Sequence, residues 1–147
     1  MKITINEIPV SGLVLEETNQ AQILDLERTD IKFCAPVYMK ACVIRDQDKI
    51  QIELKVKTEM LIVCSRCLEE NKAVVDKEIK IIRPKEIDAV IDLTQIAREE
   101  IILDYPARAL CRADCRGLCP KCGRNLNVAN CDCLQQDTFK RGIDIEL

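Results

Sequence analysis

A chain of 147 residues, 48% hydrophobic and 32% charged, has the length and make-up of one globular domain with a small appendage, and is too short for a two-domain enzyme. Its 22 basic and 25 acidic side chains leave a formal charge of −3, and the absence of histidine excludes imidazole acid–base or Ser-His chemistry. Two Phe, two Tyr and no Trp are too few for the aromatic platforms on which single-stranded bases stack.

The opening "MKITINEIPV" alternates apolar and polar residues without an apolar h-region or a small-residue cleavage site, so no signal peptide is expected. No run approaches the roughly 18 apolar residues a membrane span needs, and the expected compartment is the cytoplasm. "KITINEI" is expected as a strand, the fourth of a sheet whose other members follow. "NQAQILDLE" (19–27) fits a helical turn or a strand connection. "VYMKACVI" places Val37, Met39, Ala41 and Val43 on one face, and "DQD" at 46–48 forms a polar hairpin loop. Residues 49–63, "KIQIELKVKTEMLIV", keep a period of two: Ile50, Ile52, Leu54, Val56, Met60 and Ile62 face one way, Lys and Glu the other. That is an antiparallel strand with one dry and one solvated face. "VVDKEIKII" (74–82) returns with Val75, Ile79 and Ile81 and stops at Pro84. In "DLTQIAREEIILDYP" (92–106), Leu93, Ile96, Ala97 and Ile101 sample helical spacing, Asp92 or Thr94 can cap, and Pro106 ends the helix. Its apolar stripe is expected on the sheet.

Beyond Pro106 the apolar supply falls to Leu110, Leu118, Leu126 and Val128 without a period. Four such side chains contribute about 1.5 to 3 kcal/mol each, too little to order a tail of this length. The same tail carries six of the ten cysteines between Cys111 and Cys133. In a reducing compartment ten cysteines are poorly explained as disulfides, and metal is the alternative. "CPKCG" (Cys119, Cys122) is a C-x2-C knuckle followed by Gly, and "CDC" (Cys131, Cys133) follows after eight residues; two pairs at this spacing suit a four-thiolate zinc site. "CSRC" (Cys64, Cys67) lies between two strands, unlike a redox motif at a helix start, and pairs most simply with Cys111 and Cys115 of "LCRADC". Exchanging Cys111/Cys115 with Cys131/Cys133 is the other partition. Cys115, Cys119 and Cys122 also spell the C-x3-C-x2-C of radical enzymes with a four-iron cluster, but Lys121 stands where those carry an aromatic, and the chain cannot form their barrel. Cys34 and Cys42 read as core packing. Closed four-thiolate sites have no open position for hydrolysis, so two structural zinc ions are expected, each able to supply about 10 to 16 kcal/mol of folding free energy.

From Tyr105 to Leu126, Arg108, Arg112, Arg116, Lys121 and Arg124 face Asp114 alone, a local charge of +4. These cations either offset thiolate charge around zinc or contact an RNA backbone or ribosomal protein.

The ordered set "CSRCLEE", "IDLTQIAREEIILDYPARALC", "DCRGLCPKCGRNLN" and a closing "CDC" resembles the bacterial DUF177, or YceD, family. The resemblance implies a role in accumulation of large-subunit ribosomal RNA and large-subunit biogenesis, with no known enzymatic activity. Its genes often lie beside one for a large-subunit zinc-ribbon protein. It implies metal-binding positions at Cys64, Cys67, Cys111, Cys115, Cys119 and Cys122. The chain departs from the family's Asp-Pro-Arg segment and Leu-rich helix by ending in "LQQDTFKRGIDIEL". The expected architecture is α+β: an antiparallel β-sheet and one main helix over 1–106, with a Cys-rich zinc-ordered C-terminal module, 107–147, packed on it as one compact unit. The expected function is that of a non-enzymatic zinc-binding protein acting with ribosomal RNA, a large-subunit ribosomal protein or a precursor particle, without membrane or small-molecule substrate. The alternatives are a zinc-ribbon transcription regulator, and a thiol redox or metal-delivery protein.

Overall fold

In the computed structural model, which describes residues 1–85 and 90–134, the period-two stretch 49–63 forms one continuous strand. In chain order the strands are β1 (Lys2–Thr4), β2 (Leu13–Asn19), β3 (Ile31–Phe33), β4 (Val37–Arg45), β5 (Lys49–Val63), β6 (Glu70–Pro84) and β7 (Val90–Asp92), with one helix, α1 (Leu93–Leu103). Short 3-10 turns lie at Ile5–Glu7 and Asp132–Leu134. The chain divides into two units, Met1–Ile62 with Lys72–Pro106, and Val63–Asn71 with the residues from Ala107 on. The expected C-terminal segment beyond residue 134 lies outside the described residues.

The first unit is a five-stranded sheet, β2-β4-β5-β3 with β6 also on β5. β4 and β5 are antiparallel from Arg45↔Ile50 to Tyr38↔Lys57, and the Asp46 amide closes their loop on the Lys49 carbonyl at 2.8 Å. Every second side chain of β5 from Ile50 to Ile62 is buried, as are Val37, Met39, Ala41 and Val43 of β4. The alternation is therefore the core face of the sheet. Among the described residues Thr58 is the one polar residue that is buried, and its hydroxyl donates to the Ala35 carbonyl at 3.1 Å. That bond holds a bulge. Phe33 pairs with Met60 and Tyr38 with Lys57, five steps against three, so two extra residues are absorbed around Cys34–Pro36.

Two expectations are corrected here. "KITINEI" is not the fourth strand of the meander: only Lys2–Thr4 is extended, and it pairs with β7 in a separate two-stranded sheet, Lys2↔Asp92 to Thr4↔Val90. The reason is in its spacing. Ile3 and Ile5 alternate but Ile8 comes three residues later, and the 3-10 turn at Ile5–Glu7 keeps all three buried. The outer strand of the meander is β2, paired with β4 from Leu13↔Val43 to Asn19↔Val37. Cys34 and Cys42 are not core residues either. Cys34 is exposed at the bulge, its Sγ 3.5 Å from the Glu59 carbonyl, and Cys42 lies half-buried on the face opposite Met39 and Ala41.

The solvated face of β5 is a set of cross-strand ion pairs with β6: Lys57–Asp76 at 3.0 Å, Lys55–Glu78 at 3.6 Å and Glu53–Lys80 at 3.6 Å. Partner numbers rise on one strand as they fall on the other, the antiparallel sense. Exposed pairs of this kind contribute about 0.2 to 1 kcal/mol each and serve mainly to hold register. Helix α1 begins where Asp92 accepts the Gln95 amide at 3.2 Å, and it buries Leu93, Ala97 and Ile101, one face at i, i+4, i+8. Lys77, on the inward side of β6, reaches the Glu100 carbonyl at 3.0 Å and the Asp104 carboxylate at 2.8 Å, so the C-terminal end of α1 lies over that strand.

Candidate metal centres

In the second unit the interior is made of thiols. Cys64, Cys67 and Cys115 are its buried cluster, with Leu110, Cys111 and Leu118 packed around them. A cluster with so little hydrocarbon contributes little by burial alone, and the arrangement of its sulfurs is dictated by backbone hydrogen bonds.

Both C-x2-C segments fold into the same turn. In the first, the Cys64 amide donates to the Glu69 carbonyl at 2.8 Å and the Leu68 amide to the Cys64 carbonyl at 2.9 Å. In the second, the Cys119 amide donates to the Arg124 carbonyl at 2.8 Å and the Gly123 amide to the Cys119 carbonyl at 2.8 Å. The residue after the second cysteine takes a left-handed conformation in each, Leu68 at φ 61° and Gly123 at φ 71°. This turn aims amides at the first sulfur. Burial alone would raise the Cys64 thiol, but the amides of Cys67, Arg66 and Cys111 bring it down to about 6. The amides of Cys122 and Lys121 likewise bring Cys119 down to about 6.

The remaining thiols come to these knuckles from other parts of the unit. Cys111 Sγ is 3.5 Å from Cys67 Sγ, and Cys115 Sγ is 3.8 Å from Cys64 Sγ. Cys64, Cys67, Cys111 and Cys115 form one group and Cys119, Cys122, Cys131 and Cys133 a second, the sulfurs of each lying within 4.8 Å of one another. Of the two partitions that spacing allows, the sulfurs adopt the one joining Cys64 and Cys67 to Cys111 and Cys115. Four sulfurs at about 2.3 Å from one zinc stand about 3.8 Å apart at tetrahedral angles, so the observed separations match the edge of such a site. Either group could hold a metal ion. Without one the thiols cannot all ionise: burial and then Cys115, Cys67 and Cys64 push Cys111 up to about 12, and Cys119 followed by burial pushes Cys131 up to about 11.

The five cations predicted as a contact patch are all exposed, but they are not equivalent. Arg124 donates to the Asn130 carbonyl at 3.1 Å, Arg116 to the Asn130 side chain at 3.4 Å, and Lys121 to the Cys133 carbonyl at 3.3 Å. These three brace the loop that carries Cys131 and Cys133. Arg112 lies 3.6 Å from Asp114, and Arg108 stands exposed at the start of the segment.

Two residues at the centres escaped the sequence reading. Arg66, inside the first knuckle, donates to the Cys115 carbonyl at 2.9 Å, and its own carbonyl accepts the Leu118 amide at 3.1 Å. Asn127 donates to Cys115 Sγ at 3.3 Å; burial raises that thiol, and Asn127 with the Gly117 amide outweighs it, leaving Cys115 lowered. Outer groups that orient ligands carry no spacing signature.

An antiparallel sheet with one helix among the described residues, together with a unit that gathers two sets of four thiols, defines a small α+β protein able to hold metal. The chain belongs to the family described as Large ribosomal RNA subunit accumulation protein YceD, whose model matches residues 52–141. It is 36% identical over 66 residues to Large ribosomal RNA subunit accumulation protein YCED homolog 1, chloroplastic, of Arabidopsis thaliana, covering 45% of this chain and only 20% of that protein. It is 25% identical over 149 residues to the uncharacterized protein YlbN of Bacillus subtilis (strain 168), covering 87% of this chain and 84% of that one. No solved structure matches. Among the described residues no helix is long and apolar enough to cross a membrane.

Proposed function

We propose that this chain is a non-enzymatic zinc protein of the cytoplasm that acts in the accumulation of large-subunit ribosomal RNA. The observation that carries the reading is the pair of four-cysteine groups, the sulfurs of each within 4.8 Å of one another, in a chain of the family described by that role. The thiolate-only donor set suits zinc, and four protein ligands leave it no open position, so each ion would stabilise structure and perform no hydrolysis. Cys64, Cys67, Cys111 and Cys115 would hold one zinc, and Cys119, Cys122, Cys131 and Cys133 the other.

The proposed partner is ribosomal RNA or a large-subunit ribosomal protein within a precursor particle. Arg108 and Arg112 are its foremost contacts, and Arg116, Lys121 and Arg124 contribute charge while bracing their loop. The test is sedimentation of the tagged protein from cells. Zinc-loaded protein is expected to travel with precursor large-subunit particles, and its depletion to lower large-subunit relative to small-subunit ribosomal RNA. Absence from those particles, together with duplex-DNA binding that survives about 200 mM salt, would replace this reading with that of a transcription regulator.

A further inference from the structure

Asn127 belongs to the loop between Cys122 and Cys131, yet it acts on the other cysteine group. Its Nδ2 donates to Cys115 Sγ at 3.3 Å and to Asn125 Oδ1 at 2.9 Å, and its Oδ1 accepts the Arg116 amide at 2.8 Å. The whole amide is engaged, which fixes its orientation. The backbone makes a parallel link. The Leu118 amide donates to the Arg66 carbonyl of the first knuckle at 3.1 Å, the Leu126 amide to the Gly117 carbonyl at 2.9 Å, and Leu118 is followed directly by Cys119. The turn that presents Cys119 and Cys122 therefore hangs from the knuckle of Cys64 and Cys67.

We propose that Asn127 couples the two cysteine groups, so that metal held by Cys64, Cys67, Cys111 and Cys115 raises the metal affinity of Cys119, Cys122, Cys131 and Cys133. The coupling rests on the zinc reading above. Metal held by the first group fixes Cys115 Sγ in position, and with it the Asn127 amide that donates to that sulfur. The free span that must close to bring Cys131 home shrinks from the eight residues after Cys122 to the three after Asn127, with a smaller loss of chain entropy. The effect is reciprocal, since a coupling free energy belongs to both sites. The second group is also the one to empty first: Cys122 is exposed and Cys131 and Cys133 are half-buried, whereas Cys64, Cys67 and Cys115 are buried.

Chelator competition on the full-length zinc-loaded protein, with metals counted by native mass spectrometry and the released group identified by alkylation, tests this. Wild type is expected to carry two zinc ions and to release the second group first. Asn127→Ala should weaken the second group by about 5-fold or more, although the contacts of that side chain are to Cys115, Asn125 and Arg116 and not to the second group's sulfurs. Asn127→Asp, which keeps the acceptor for Arg116 and removes the N–H donor to sulfur, should do the same. In protein whose first group is disabled by Cys64→Ser with Cys67→Ser, Asn127→Ala should leave the second group unchanged. Unaltered second-group affinity in both Asn127 variants, or an equal loss in the disabled background, would overturn the coupling while leaving two zinc sites standing. Wild-type protein that takes up no zinc would overturn the zinc reading itself.

Discussion

Leu68 and Gly123 occupy the same place in two knuckles that share their hydrogen bonds, and both are left-handed, at φ 61° and 71°. Only one of them is suited to it, because a Cβ in that region costs about 1 to 2 kcal/mol. Leu68 is 63% exposed, so it returns little burial in exchange.

Leu68→Gly is accordingly expected to leave the metal-loaded protein as stable as wild type, or more stable by up to about 1 kcal/mol after the entropy of glycine in the unfolded chain is deducted. Gly123→Ala, whose new Cβ would meet nothing within 4 Å, should lower stability by about 1 kcal/mol through backbone strain alone. Gly117→Ala should cost more, since its Cβ would come within 3.0 Å of the Arg66 carbonyl oxygen at φ 74°. Chemical denaturation of the three variants ranks them, and a stabilising Gly123→Ala would refute this account of the knuckle.

Removing metal is expected to unfold the second unit and spare the first. The buried set of β4, β5 and α1 is apolar except for Thr58, whereas the core of the second unit is chiefly cysteine. Amide exchange after chelation should show loss of protection at Leu68, Leu118, Cys119 and Leu126 with protection retained through residues 50–57. Persistent protection at Cys119 in metal-free protein would contradict it.

Metal uptake should release at least two protons per site at about pH 7.5. In the first group Cys111 is held up by burial, and Cys67, though drawn down by the Glu69 amide, is raised on balance by burial and Cys64. In the second, Cys131 and Cys133 are raised by the neighbouring thiols Cys119 and Cys122. Raised thiols favour the metal-free form below their folded values, so affinity must fall as pH falls. Cys64 and Cys119 have the opposite sign: depressed to about 6, they favour the fold above the ordinary thiol value, and that contribution is lost as pH drops through about 6. Metal loss should steepen there. Titration in weak buffer with an indicator measures the protons, and release of fewer than two would show that the raised thiols are not ligands.

Arg108→Ala and Arg112→Ala should weaken binding to precursor particles or large-subunit RNA without altering zinc content, each reducing the slope of log affinity against log salt by about 1 if it contacts phosphate. Arg124→Ala, which removes a bond to the Asn130 carbonyl, should also speed zinc loss from the second group. Identical zinc loss in all three variants would mean that none of them is a dedicated contact.

Legibility in the sequence followed physical locality. β5 declared itself because seven alternate positions from Ile50 to Ile62 are buried on one face, and α1 because its cap, its stripe and Pro106 are all local. β2 did not: after Leu13 and Leu15 its inward positions are Glu17 and Asn19, so half the strand has no hydrophobic period. Cys34 misled for a related reason, since a bulge at Pro36 turns it out to solvent. The thiol pairs could be read from short fixed spacings, and their grouping was narrowed to two choices. Asn127 and Arg66 could not be read at all, because each acts on Cys115 from positions 12 and 49 residues away.

The first cysteine group is drawn from two stretches of chain, with Cys67 and Cys111 separated by 44 residues. At about 5 to 20 residues per second of synthesis, Cys64 and Cys67 leave the translating machine roughly 2 to 9 seconds before their partners exist. For that interval the knuckle is a bare dithiol on a nascent chain, open to oxidants and to foreign metal, and the site can close only after α1 and the whole of β6 have been made.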